Sequence, residues 1–246
     1  MLELIPISTL KSGIEFCLNN GKRLLDDASL LHKYKKFQSA IPLYVLAFEE
    51  ISKGAFLEEK YFNNQNVSAQ EWKDLSSAGS HIAKIVFDHE KRKETLENMS
   101  DIDFKKAQDW TKRNNLVFWE LDRKWALQDT ENSINLMKKL NDVKKKFLYV
   151  DYIDKWQITP KFSDKMFDWL CTLLSILSLE LYYRTKYYME MDEIGISKKI
   201  ELDSQDVEKM NKLPNFLEFQ KIHRMYLSSR EWRQIRSISK KMIESI

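Results

Sequence analysis

A chain of 246 residues with only 5 Gly and 4 Pro lacks the punctuation that a many-stranded β fold requires. Its 43% hydrophobic and 12% aromatic content can fill the core of one large domain, or of one domain with an appendage. A net charge of +3 is too weak to define a nucleic-acid surface, and two cysteines without any Cys/His spacing for zinc argue against a disulfide scaffold or a zinc module.

Both cysteines, Cys17 and Cys171, sit in apolar helical patterns and read as reduced core thiols. The N-terminal residues show no basic region followed by an apolar run and a cleavage site. The most apolar later stretch, Met166–Leu181, is short for a membrane span and carries Asp168 and Glu180. The expectation is a cytoplasmic protein with no membrane segment, no cofactor and no metal.

In chain order, the first helix is predicted from about Gly13 to Tyr34, with Ile14, Cys17, Leu18, Leu24, Leu25, Ala28 and Leu31 at helical spacing. The basic turn His32–Lys36 ends it. A second helix starts near Ser39, tolerates Pro42 in its first turn, and stops in the polar loop Tyr61–Asn66. The short connection makes the pair an antiparallel hairpin.

The second helix is the organising element. Ala40–Phe48 contains no charge, so it reads as a helix packed on most sides. Glu49, Glu50 and Lys53 then appear without a break in apolar character. Glu50 shares a face with Leu43, Leu46 and Leu57, and Lys53 can pair with Glu49 (i, i+4) or Glu50 (i, i+3). Three readings stand side by side: a structural buried ion pair, a Glu49 that faces water, or a polar site inside the bundle.

Ser68–Glu71 is a capping box that opens a third helix. Along it His81, Lys84, Asp88 and Arg92 form one stripe, with His89 about 80° from His81. The stripe is either a solvated face or an acid–base site, because such a site needs a group titrating near neutrality beside a cation. A fourth helix is capped near Ser100–Asp103, and a fifth ends at Lys144–Lys146. Phe147–Pro160 is aromatic and β-branched and predicts a short extended segment or hairpin, the one non-helical element expected.

Ser163-Asp164 caps a long helix to about Met191, apolar nearly all round over Phe167–Leu181 and placed at the bundle centre beside the second helix. A shorter helix follows around Phe216–Leu227, then a basic one over Glu231–Ile243. Arg233 and Arg236 on the latter, interleaved with Trp232, are either solvated or a docking surface for RNA or protein. The division expected is a bundle over 1–192 and a helical extension over 193–246 packed on it.

These residues resemble the AbiV family of bacterial abortive-infection proteins. Three landmarks carry the resemblance: Leu24–Ala28 with Phe37–Ala55 as a hairpin ending A-F-E-E-I-S-K-G-A; His81, Lys84 and Ile85; and Lys145–Tyr152 with Trp156 and Pro160. It covers about residues 10–190. The family is grouped with HEPN domains, so the resemblance implies an all-α HEPN-like helical bundle, with the extended or hairpin insertion near 147–158. It also implies frequent homodimers and, in many relatives, metal-independent RNA cleavage by an Arg followed four to six residues later by a His. This chain departs there: its nearest match is Lys84-x4-His89, and lysine keeps the charge but loses the bidentate fork.

The expected function is an antiphage effector that arrests growth or translation. In the catalytic version His81 or His89 takes the 2′-OH proton, Lys84 and Arg92 stabilise the phosphorane, and Glu50 orients a neighbour, with Glu49 and Lys53 as structural polar core. In the alternative, the protein binds without catalysis, through the 147–156 segment and the basic C-terminus. Homodimerisation, RNA and a phage-encoded activator protein are the partners expected.

Overall fold

The structure is a computed structural model. It describes residues 4–76, 93–94, 96–113, 144, 147, 163–196 and 204–228. Besides helical residues at 93–94, 96–98, 144 and 147, the described residues include seven α-helices: α1 (Leu10–Lys33), α2 (Phe37–Phe62), α3 (Ala69–Ser76), α4 (Asp101–Arg113), α5 (Asp164–Glu193), α6 (Ser204–Met210) and α7 (Pro214–Ser228). The fold is all-α, as expected.

α1 and α2 form the hairpin and share the most extensive interface in the structure. α1 buries Leu10, Ile14, Cys17, Leu18, Leu25 and Ala28, the i, i+3/i+4 stripe legible in the sequence. Its other face is polar and carries the Lys22–Asp26 (2.6 Å) and Arg23–Asp27 (3.6 Å) pairs. α2 is buried on most sides, by α1 on one flank and α5 on the other. The two hairpin helices approach closely at Gly21, which faces Ala47 and Ile51 of α2. Burial pushes the Cys17 thiol up to about 11 and the Cys171 thiol up to about 12, so both behave as inert core groups.

α2 begins at Phe37, earlier than Ser39, and Lys36 at its N-cap makes no side-chain cap. Pro42 therefore lies inside the helix, where it removes the bond to the Gln38 carbonyl. Gln38 is exposed, where water can serve that oxygen.

α1, α2 and α5 all end in the same way. The amide two residues beyond the last helical cap reaches back: Lys36 to the Leu31 carbonyl, Gln65 to Lys60 and Ile196 to Met191, each at 2.9 Å. The residue before that amide is left-handed in each case: Lys35 (φ 56°), Asn64 (φ 53°) and Gly195 (φ 73°).

A strand pair absent from the sequence expectation joins Leu4–Ile5 (β1) antiparallel to Val67–Ser68 (β2). It is reinforced by the Ile7 amide donating to Asn66 Oδ1 at 3.0 Å. The extended segment expected from Phe147 onward is not seen at its first residue: Phe147 is helical and packs edge-on against Phe167, and 148–158 lie outside the described residues.

The capping box is formed as predicted. The Glu71 amide donates to Ser68 Oγ at 3.1 Å, and the Ser68 amide donates to Glu71 Oε2 at 2.8 Å. Glu71 also accepts from Lys60 at 2.8 Å, which with the Ser68 amide holds its carboxyl down at about 2, below the ordinary 4.5. A depressed acid stabilises the fold above its unfolded pKa and loses that stabilisation as pH falls through its folded one. Stability should therefore drop between about pH 4.5 and pH 2 in the native chain, by on the order of 1 kcal/mol once solvent screening of this partly exposed group is allowed for. In Glu71→Gln that step should be missing from urea midpoints measured across the same pH range.

α5 is capped by Ser163, whose side chain accepts from the Met166 amide. By length and composition it could cross a bilayer, although Met166–Leu181 alone reads as too short. In the bundle it lies against α2 through Phe167, Leu170, Cys171 and Leu174. Its C-terminal half packs on α7 through Tyr187, Met191, Phe216 and Phe219. α6 was not expected and contributes Met210 to this second cluster.

Candidate functional site

Two polar centres are built on the hairpin. The first is the Glu49–Lys53 stretch of α2. Glu50 points to α1: Lys53 binds its Oε1, and Asn20 Nδ2 donates to Oε2 at 3.0 Å. Asn20 in turn accepts from Arg23 at 2.9 Å. The Glu50 and Lys53 side chains are 22% and 19% exposed, so this is a half-buried pair at the hairpin edge. Both carboxylate oxygens of Glu50 are occupied, an arrangement that holds α1 to α2.

Glu49 turns to the opposite neighbour. Lys144 donates to its Oε1 at 2.6 Å, and the two side chains are 8% and 13% exposed. The reading in which Glu49 faces water is therefore corrected, and Glu49 is the more deeply buried of the two acids. Lys53 takes Glu50 as its partner. His81, Lys84, His89 and Arg92 lie outside the described residues, as do Arg233 and Arg236.

The second centre was missed by sequence reasoning, which read His32 only as part of a basic turn. At the turn end of the hairpin, His32 Nε2 lies 2.8 Å from Asp168 Oδ1 of α5. Its Nδ1 lies 3.3 Å from the Tyr44 hydroxyl of α2. That hydroxyl donates to Ser29 Oγ at 3.3 Å, and Ser29 donates to the Leu25 carbonyl at 2.8 Å. The imidazole also stands against the Phe37 ring, which stacks on Phe167. Burial raises the Tyr44 phenol above its ordinary 10.0, which keeps it a neutral donor. A histidine held by a carboxylate on one nitrogen and a hydroxyl on the other is fixed in orientation and able to pass a proton. The one available signal was the Ser29/His32 spacing of one helical turn; the partner Asp168 is 136 residues away in the chain.

Among the described residues, no group of three His, Cys, Asp or Glu side chains is arranged to hold a metal ion. No curated protein and no solved structure matches the chain. A family model does: the HEPN AbiV model, described as AbiV, matches residues 9–166. That span takes in the whole α1–α2 hairpin with its Glu49–Lys53 centre and with His32 and Tyr44, stops short of Asp168, reaches the first turn of α5, and covers well over half of the sequence, so the chain belongs to the AbiV family.

Proposed function

We propose that the protein is an abortive-infection effector that arrests growth or translation on phage infection by metal-independent cleavage of RNA. Family membership carries the first part: the AbiV HEPN family points to a role in abortive-infection defence. The cleavage chemistry rests on the His81, Lys84 and His89 cluster. An imidazole there would take the 2′-OH proton as the 2′-oxygen attacks phosphorus. Lys84 and Arg92 would stabilise the phosphorane charge, and the other imidazole, protonated, would give its proton to the departing 5′-oxygen. Glu50, with both oxygens engaged, supports the frame by holding α1 to α2.

The test is inducible expression with and without phage infection, followed by sequencing of RNA ends. Discrete new cleavage sites are expected, and they should vanish in His81→Ala and Lys84→Ala together with phage protection, at unchanged helical circular dichroism. Lys84→Arg should retain part of the activity. A second reading is favoured by one observation: no Arg stands four to six residues before any His. It makes the protein a binding effector, and protection that survives both alanine substitutions without RNA cleavage would select it.

Assembly as a homodimer is part of the same proposal. Light scattering at micromolar concentration should give twice the 29.4 kDa chain mass; a single-chain mass would refute it.

A further inference from the structure

We propose that the solvent face of α1 is a dimer seam, on which two copies of the chain lay α1 against α1, antiparallel, about a two-fold axis at the level of Leu25. Phe16, Asn20, Arg23, Asp27, Leu30 and Tyr34 follow one another at steps of four, three, four, three and four residues. That is the alternating spacing by which one helix packs along another. The stripe that α1 buries in the bundle, Ile14, Leu18, Leu25 and Ala28, lies on the other side of the helix. α1 thus carries two seams, and the bundle uses one of them.

The apolar members of the outer seam stand in water. Phe16, Leu30 and Tyr34 are 76%, 55% and 66% exposed. Isolated apolar residues on a surface are ordinary. Three in one register along a single helix face mark a contact.

The order of the residues identifies the occupant. Counted outward from Leu25, Arg23 and Asp27 stand two positions to either side, Asn20 and Leu30 five, and Phe16 and Tyr34 nine. A two-fold axis at that level sets each member of a pair opposite the other member in the second copy. Arg23 then meets Asp27 of the second copy on both sides of the axis, and the aromatic rings of Phe16 and Tyr34 meet at both ends. Asn20 is drawn toward α2 by Glu50, which leaves room on the seam for Leu30 of the second copy.

The central charges are available for this. The Arg23 and Asp27 side chains are 65% and 55% exposed, and their contact within the chain is a loose 3.6 Å. Such a pair contributes little to the single chain, so exchanging it for the same pair between copies costs little. A seam that is complementary to its own reverse fits a second copy better than a partner of unrelated sequence. From Phe16 to Tyr34 it is about 27 Å long at 1.5 Å per residue. One helix pair of that length is a small interface, so the aromatic ends and the charged centre carry it. The inference rests on the homodimer of the functional reading and is independent of RNA cleavage.

The experiment is sedimentation equilibrium of the full chain as wild type, Arg23→Asp, Asp27→Arg, the double variant Arg23→Asp/Asp27→Arg, and an equimolar mixture of the two single variants. Each single variant sets like charges opposite one another at the axis and should dimerise at least about ten-fold more weakly. The double variant exchanges the charges and should dimerise like wild type. In the mixture one copy is acidic and the other basic at the axis, so the dimer should return. Phe16→Ala should also dimerise at least about ten-fold more weakly, with unchanged helical circular dichroism because its ring is exposed in the single chain. Single variants that dimerise like wild type overturn this interface and leave the homodimer standing. So does a double variant or a mixture that stays monomeric. A wild-type chain that sediments as a 29.4 kDa monomer refutes the homodimer and this interface with it.

Discussion

Replacing Glu49 with alanine is expected to lower the unfolding free energy by about 3 kcal/mol, the typical cost of breaking a buried ion pair from one side. The Lys144 side chain is only 13% exposed, so removal of the acid leaves an ammonium with neither its partner nor free access to water. Glu49→Gln should cost less, because the amide oxygen can still accept from Lys144. The informative variant is Glu49→Ala/Lys144→Met, which removes both charges and should recover most of the loss. Urea melts of the four proteins form a double-mutant cycle. If Glu49→Ala unfolds at the wild-type midpoint, the pair is not holding Lys144 to α2. The Glu50–Lys53 pair is more exposed, so the same truncation there, which also removes the acceptor of Asn20, should cost about 1 to 2 kcal/mol.

Gly21→Val is expected to cost about 3 kcal/mol, and Gly21→Ala somewhat less, through overpacking of the α1–α2 interface. A Cβ at residue 21 would stand 2.5 Å from Ile51 Cγ1, 3.1 Å from the Ala47 carbonyl oxygen and 3.2 Å from the Ile51 amide nitrogen. The isoleucine side chain can yield, but the carbonyl and the amide belong to α2 and yield only if the helices separate. Alanine's better helix propensity returns about 1 kcal/mol, which is not enough to compensate. Gly13 is the control: there the nearest atom is the terminal Leu57 Cδ1 at 3.0 Å, a flexible group, so Gly13→Ala should be near neutral or stabilising. Thermal melts of the three variants would rank them, and a Gly21→Ala protein as stable as wild type would rule out the tight contact.

The helices were legible where chemistry within one or two turns decides them. The 3.6-residue spacing along α1, the Ser68/Glu71 box and the Ser163 cap are all local, and all are formed. Which of two adjacent glutamates is the buried one was not legible. α2 is apolar on nearly every side, so its sequence offers no polar face from which to orient. The deciding partner, Lys144, lies 95 residues on. The β1–β2 pairing was hidden because two residues per strand are too few to show alternation. The His32 centre was hidden for the same reason as Glu49's burial: the sequence shows a histidine in a basic turn, and only the packing of α5 supplies its carboxylate. The His81–Arg92 stripe was legible as a pattern; its placement lies outside the described residues.

The three-residue connection Tyr34–Lys36 has a kinetic consequence. Because α1 and α2 meet after so short a loop, their interface has low contact order and can form early at little loop-closure cost. α5 docks on that hairpin only after a loop of some hundred residues is closed, so its contacts, Asp168 with His32 among them, belong on the late side of the barrier. Substitutions at Gly21 should then act mainly by slowing folding, while those at Asp168 should act mainly by speeding unfolding. The His32–Asp168 contact that α5 completes is consequently the part of the molecule whose lifetime is set by the unfolding rate.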